Sequence, residues 1–496
     1  MKTTSSVLAA TLFALGSLTT APAVHAQRED ANGGPHWVAS WATSPAAYFV
    51  YAAPIPQNQA LGFSTTKYAV ANIQPDLSFP FPDAKTTGAT AVNQTFRSIV
   101  KPDLWGRTMR VRLSNVFGNV PVTFGATTIA LQEYAGNVVD GTVTRVTFDG
   151  KASVTIPAGQ EVWSDATVLT WVDDLDSPLL RGRNLAVSYA IEGDSGHMTH
   201  HSGANGTSFI TAAGSGDHTQ DVDGFAYEFT TTSWFFLTAV DVAASPGTIV
   251  VCVFGDSITD GTHSTLNTND RWGNVLSRRL HDAFGNKVSV VNEAIGGNRV
   301  IPPVVANATA GPAAVDRLDR DVLGLSGLTH VIWLEGINDL GAGYGQAASA
   351  TPVYENPVIH TPENIMAGYR NVVGRLHARG IKVIGATLTS SLGQNNPTEG
   401  WDLNTFPGFL ASADDGPVID GYRKQINQFI RTSGLYDGVA DFDQATLDPA
   451  TGNMKARYVP NSQFTQLPWD YLHPNHAGYN AMGMAIDIDM LRPGDN

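Results

Sequence analysis

Residues 249–257 read Ile249-Val250-Val251-Cys252-Val253-Phe254-Gly255-Asp256-Ser257. An unbroken apolar run that stops at Gly-Asp-Ser describes a short strand buried on both faces and ended by a turn. Further runs of this kind follow at Val288–Val291, His330–Leu334, Lys382–Leu388 and Gly438–Phe442. Helical patterns separate them. Trp272, Val275, Leu276 and Leu280 recur at helical spacing before Gly285, and Thr361-Pro362-Glu363 has the form of a helix start, with Gly380 beyond its end. Val418, Ile419, Tyr422, Ile426, Phe429 and Ile430 mark another helix, and a last one follows His476. Strands alternating with helices predict a parallel sheet covered on both faces.

Upstream of Ala243-Ala244-Ser245-Pro246-Gly247 the texture differs. Arg110–Leu113 and Leu185–Ile191 alternate between apolar and polar, and Gly, Pro and Asn turns separate such runs without helical patterns between them. That predicts an all-β, sandwich-like domain over 27–245, preceding an α/β domain over 246–496. A chain of 496 residues is too long for one core, which agrees with two domains. Residues 52–93, rich in Pro, Thr, Asn and Ala, read as a long loop.

The first 26 residues have the form of a secretory signal peptide. Lys2 supplies the charge, Val7–Leu18 the apolar stretch, and Val24-His25-Ala26 the small-residue cleavage site. The expected product begins near Gln27 and is secreted or periplasmic. No other stretch reaches the ~20 apolar residues of a membrane span. The formal net charge of −15 argues against nucleic acid as a partner, because phosphate backbones would be repelled. The single cysteine, Cys252, lies inside the apolar strand and is expected to be structural.

Gly255-Asp256-Ser257 sits at the carboxyl end of its strand, where open α/β sheets place their sites. Ser257 there would be exposed among backbone N–H groups at a helix start, although Asp256 or Ser257 could simply cap that helix. A serine hydroxyl needs a base, and Asp470-Tyr471-Leu472-His473 supplies a histidine with a carboxylate three residues before it. Two more segments follow strands on the same edge, Ala294-Ile295-Gly296-Gly297-Asn298 and Glu335-Gly336-Ile337-Asn338-Asp339. The Ser257 and Gly297 N–H groups and the Asn338 amide could bind an oxyanion. Asp256 and Asp339 are expected to hold the loops that carry their neighbours.

These four blocks, in this order, resemble the SGNH (GDSL) hydrolase superfamily over residues 248–492. The nucleophile block has Ile258 where the family name has Leu. The resemblance implies a flavodoxin-like three-layer α/β/α domain, a triad of Ser257, His473 and Asp470, and an oxyanion hole of Ser257, Gly297 and Asn338. The front half also looks like the β domain preceding some bacterial members. The implied reaction is ester hydrolysis through an acyl-enzyme, with no cofactor or metal, on a small-molecule or carbohydrate ester. Carbohydrate O-deacetylation, short-chain lipase and lysophospholipase activities would share this machinery. A carbohydrate-binding or adhesive protein with a vestigial hydrolase domain is the alternative from another class; the intact four-block set argues against it. Oligomeric state stays open.

Other features carry less. His197-Met198-Thr199-His200-His201 lacks a nearby carboxylate or cysteine to complete a metal site. His263 and His476 lie near the catalytic blocks. Trp37, Trp41, Trp105, Trp163, Trp171 and Trp234 are expected in the sandwich core. The long segment Ser390–Asp415, with Trp401, Phe406 and Phe409, is expected to shape a substrate pocket or to clamp the two domains.

Overall fold

The computed structural model describes residues 35–47, 90–302 except 176 and 179, 311–340, 360–392, 415–460 and 471–494. The segment 1–26, most of the loop 52–93, Trp401, Phe406, Phe409 and Asp470 lie outside the described residues.

Five strands pair in parallel: Val288–Ala294, Ile249–Gly255, Leu328–Leu334, Lys382–Ala386 and Gly438–Ala440, in that spatial order. Numbered along the chain this is 2-1-3-4-5, the flavodoxin-like order, whose switch point lies between the first and third strands. The first strand is buried throughout, as its unbroken apolar run requires. Its successive side chains serve opposite faces. Val253 packs against Gly273 of the helix Trp272–Phe284, while Phe254 meets Trp333, which in turn meets Tyr369 of the helix Pro362–His377. Helices Trp272–Phe284 and His476–Ala485 pack as one pair, Pro362–His377 and Asp415–Thr432 as another. The sheet is therefore the middle layer of three.

The front half is antiparallel. One sheet joins Trp37–Ala42, Leu237–Ala243, Thr108–Ser114 and Glu161–Trp163; a larger one is centred on Thr95–Val100, Leu185–Glu192 and Val122–Leu131. Phe96, Phe124 and Tyr189 of the larger sheet meet Phe235 and Phe236 in an aromatic core. The tryptophans divide, which corrects the expectation that all six are core. Trp41 and Trp234 are buried edge to face, 4.9 Å apart. Trp37 and Trp163 are half-buried, with the Arg110 guanidinium 4.6 and 4.4 Å from their rings. Trp105 and Trp171 are also half-buried, their rings 6.2 Å apart. A planar cation and a ring edge that reaches water keep these large side chains at the rim.

The halves share one apolar core. Trp37–Ala42, an edge strand of its own sheet, runs along Val288–Ala294, the edge of the parallel sheet. Side chains make the link. Ser289 Oγ donates to the Ala39 carbonyl at 2.6 Å, and Ser44 Oγ donates to Glu293 Oε2 at 2.6 Å. Each edge thus covers the other, which removes two exposed ladders.

Candidate active site

Gly255 ends the first strand where a side chain cannot fit: a Cβ would lie 2.1 Å from the Leu334 carbonyl oxygen. Asp256 then caps the short helix Ser257–Asp260, its Oδ1 accepting from the Ile258 N–H at 3.0 Å. The helix stops at Gly261, whose φ of 100° favours glycine. The Ser257 carbonyl accepts from the N–H groups of Gly261 and Thr262. Ser257 is thereby fixed on the first turn, with its side chain turned to the sheet's carboxyl edge.

His473, far along the chain, meets it there. Ser257 Oγ and His473 Nε2 are 2.7 Å apart. The histidine loop is anchored just beyond this contact. Asn475 Nδ2 donates to the carbonyls of Arg457 and Val459, its Oδ1 caps the N–H groups of Ala477 and Gly478, and Tyr479 donates its hydroxyl to the Thr262 carbonyl. The His263 ring lies edge-on to His473, 5.8 Å between centroids. His476 is exposed.

The loops after the second and third strands meet beside the serine. Gly297 has φ 76°, and a Cβ on Gly296 would be 3.9 Å from the Ser257 Cβ. Asn338 Nδ2 donates to the Asn298 carbonyl at 2.9 Å. That bond uses one amide hydrogen and leaves the other for a ligand. Asp339 accepts from the N–H groups of Val300 and Ile301, so the third-strand loop holds the second-strand loop. Asp256 and Asp339 therefore do hold their loops.

Beneath these loops is a buried charge network that the sequence reading missed. The Arg317 side chain is inaccessible to solvent. Its Nε donates to Asn298 Oδ1 at 2.8 Å, its Nη2 to the Gly255 carbonyl at 3.0 Å, and its Nη1 to the Glu293 carbonyl and to Ser44 Oγ. Nη2 is 3.8 Å from Glu335 Oε1, and the guanidinium lies over the Phe254 ring. One cation thus touches all three site loops and the front half. Around it, burial pushes the Glu335 carboxyl up, and burial followed by the Glu335 charge pushes Asp256 well above the carboxylate range. A carboxyl pushed towards its neutral form in this way lowers the cost of crowding acids behind the serine. Burial also pushes Asp339 up to about 7, against the two N–H groups it accepts from.

The histidine cluster before residue 202 is split by strand alternation. Burial pulls His200 down to about 3, and its ring stacks on Phe235. His201 points the other way, onto Trp234 and Asp260. The carboxylate absent from the local motif is therefore supplied by the other half.

A three-layer α/β domain with a serine and a histidine in contact at the switch point is the architecture expected of a carboxylic ester hydrolase. Residues 253–481 match the GDSL-like lipase/acylhydrolase family, and this part of the chain belongs to it. Among solved structures, a carbohydrate acetylesterase from Sinorhizobium meliloti is 17% identical, over 49% of this chain and 99% of that one, with a TM-score of 0.32. An acetyl xylan esterase from Geobacillus stearothermophilus is 18% identical over 49% and 94%, with a TM-score of 0.31. The M. smegmatis aryl esterase is 16% identical over 48% and 95%, also at 0.31. No curated protein matches the chain. Among the described residues no helix is long and apolar enough to cross a membrane.

Proposed function

We propose that the chain is an exported serine esterase that works through an acyl-enzyme on Ser257. The observation that carries this reading is the 2.7 Å approach of Ser257 Oγ to His473 Nε2 beside the Gly296-Gly297 and Asn338 loops. His473 takes the hydroxyl proton as Ser257 Oγ bonds to the ester carbonyl carbon. The Ser257 and Gly297 N–H groups and the spare Asn338 amide hydrogen receive the oxyanion. His473 returns its proton to the departing alcohol, then activates the water that frees the acid. Asp470, three residues before His473, is assigned as the carboxylate that orients it. The segment carrying Trp401, Phe406 and Phe409 is assigned to the pocket wall, on its position after the fourth strand.

A fluorophosphonate probe should label wild type at Ser257, and Ser257→Ala should abolish both labelling and ester hydrolysis while the melting temperature stays near wild type. A protein that labels nowhere and hydrolyses nothing would be the binding protein with a vestigial domain. An ester panel varying acyl chain and alcohol separately, sugar acetates included, identifies the substrate. Amino-terminal sequencing of the exported protein should begin near Gln27.

A further inference from the structure

The front half reaches the oxyanion loop through two residues. His201, on the strand Thr199–His201, and Asp260, the last residue of the nucleophile helix, are both almost fully buried. His201 Nε2 is 3.1 Å from Asp260 Oδ1, and Asp260 Oδ2 accepts from the Gly296 N–H at 3.2 Å. We infer that His201 is a positioning residue for hydrolysis, holding Asp260 so that Asp260 fixes the Gly296-Gly297 turn in its donor geometry. This rests on the assignment of Gly297 as an oxyanion donor.

The contact is built from several sides. Asn205 Nδ2 donates to the Asp260 carbonyl at 3.1 Å. Arg271 Nε donates to the same carbonyl, while its Nη2 donates to the carbonyls of Gly203 and Ala204. Gly203 sits so close that a Cβ would lie 2.3 Å from Asp260 Oδ2. The loop after His201 is therefore stitched to the turn after Ser257, and both line a cavity of about 80 Å³ with Trp41 and Trp234.

Protonation is part of the device. His201 Nδ1 faces the Ser44 carbonyl at 2.9 Å, which can only accept, so Nδ1 carries a hydrogen. Nε2 faces a carboxylate and must also carry one if Asp260 is ionised. His201 is then an imidazolium. Burial opposes that charge, but the Asp260 charge and hydrogen bond and the Ser44 carbonyl outweigh burial and the Arg271 charge, and its pKa is raised. Lys101 and Asp103 line the same cavity, and its neighbour His200 is neutral at pH 7. Above the raised pKa one of its two hydrogen bonds becomes a lone-pair repulsion, and Asp260 loosens from Gly296.

Asp260→Asn separates charge from geometry. The amide oxygen can still accept from Gly296, and the amide N–H can donate to a neutral His201 that keeps its Nδ1 hydrogen for Ser44. His201→Ala removes the support outright. We expect His201→Ala to lower kcat per fluorophosphonate-labelled Ser257 by roughly 10- to 100-fold, with a smaller change in KM. Wild type should show an alkaline fall in kcat; Asp260→Asn should lose less activity than His201→Ala and should lack that fall. A merely structural contact would lower the melting temperature and leave kcat per labelled serine unmoved, and that result would overturn the proposal. So would an alkaline limb retained in Asp260→Asn, which decides the matter should His201→Ala fail to fold. Wild type that neither labels nor hydrolyses would instead sink the esterase reading, and this inference with it.

Discussion

Two buried arginines, one in each half, invite comparison. Arg97, in the larger antiparallel sheet, donates to Ser188 Oγ and to the carbonyls of Gly136 and Asp221, and its guanidinium lies 4.2 Å from the Tyr227 ring centroid. Arg317 uses the same device: a side-chain oxygen for Nε, backbone carbonyls for the fork, and Phe254 beneath, at 4.3 Å. Each exploits the planar fork that makes arginine the cation of choice inside a protein. The difference lies in what is pinned. Arg97 ties loops of the front half to one another. Arg317 ties Gly255, Asn298 and Glu293, residues in or beside the strand ends that carry Ser257 and Gly297. On the proposed mechanism, a buried cation that touches no reacting atom bears on catalysis through the loops it holds.

Removing each cation tests this. Arg317→Met should lower kcat per labelled serine by roughly 100-fold or more, because all three site loops lose their common anchor. It should also destabilise by about 3–5 kcal/mol, since Glu335 would be left buried without its cation, Asp321 would keep only Arg320, and the carbonyls of Gly255 and Glu293 would lose their donor. Arg97→Met should destabilise by about 1–3 kcal/mol, leaving buried carbonyls unpaired, while kcat per labelled serine stays at the wild-type value. Calorimetry and active-site titration read the two quantities separately. Equal losses of kcat would break the comparison.

Asn338→Ala sharpens it from the ligand side. The side chain donates to the Asn298 carbonyl and, in the proposed mechanism, offers its second hydrogen to the oxyanion. Its loss should lower kcat roughly 100-fold, with a smaller effect on KM. A change confined to KM would make Asn338 a ground-state binding group instead.

The contrast also shows what can be read from a sequence. The candidate site residues Ser257, Gly297, Asn338 and His473 are legible because each sits in a short block at the end of a recognisable strand or beside a helix start. The parallel sheet was legible because burial on both faces makes its strands continuous apolar runs. Arg317 was not. It stands among Asp316, Asp319, Arg320 and Asp321, which look like a solvated helix face, and its partners Ser44 and Gly255 lie 273 and 62 positions away. The helical segment Ala314–Val322 was missed for the same reason. His201 was seen only as part of an incomplete metal motif, because its carboxylate comes from 59 positions downstream. The fourth strand, Lys382–Ala386, is shorter than its apolar run to Leu388, because the N–H of Leu388 leaves the ladder to donate to Asn427 Oδ1. Packing partners separated by a whole domain leave no local trace.

The smallest expected effect concerns pH, where the halves again differ in sign. Asp103, in the front half, is buried, which opposes its charge. Hydrogen bonds from His281 Nε2, Ser277 Oγ and the Val290 N–H nevertheless hold its carboxyl below the usual range. Its contribution to stability is present above the unfolded carboxylate pKa and is lost as the pH falls through the depressed one. Asp339, under the active site, is pushed up to about 7 by burial. The folded state therefore binds this proton more tightly than the unfolded chain does, and stability falls as pH rises from about 4 towards 7. Asp339→Asn removes the titration while keeping one acceptor for Val300 or Ile301. Its amide group would face the other N–H, so at pH 5 the variant should melt about 2–4 °C below wild type. By pH 8 the wild-type side chain carries its buried charge and the variant does not, so the gap should narrow or reverse. Melting curves that stay parallel from pH 5 to 8 would mean that Asp339 is ionised throughout. The acids behind the catalytic loops would then be held as Asp103 is, by hydrogen bonds strong enough to defeat burial.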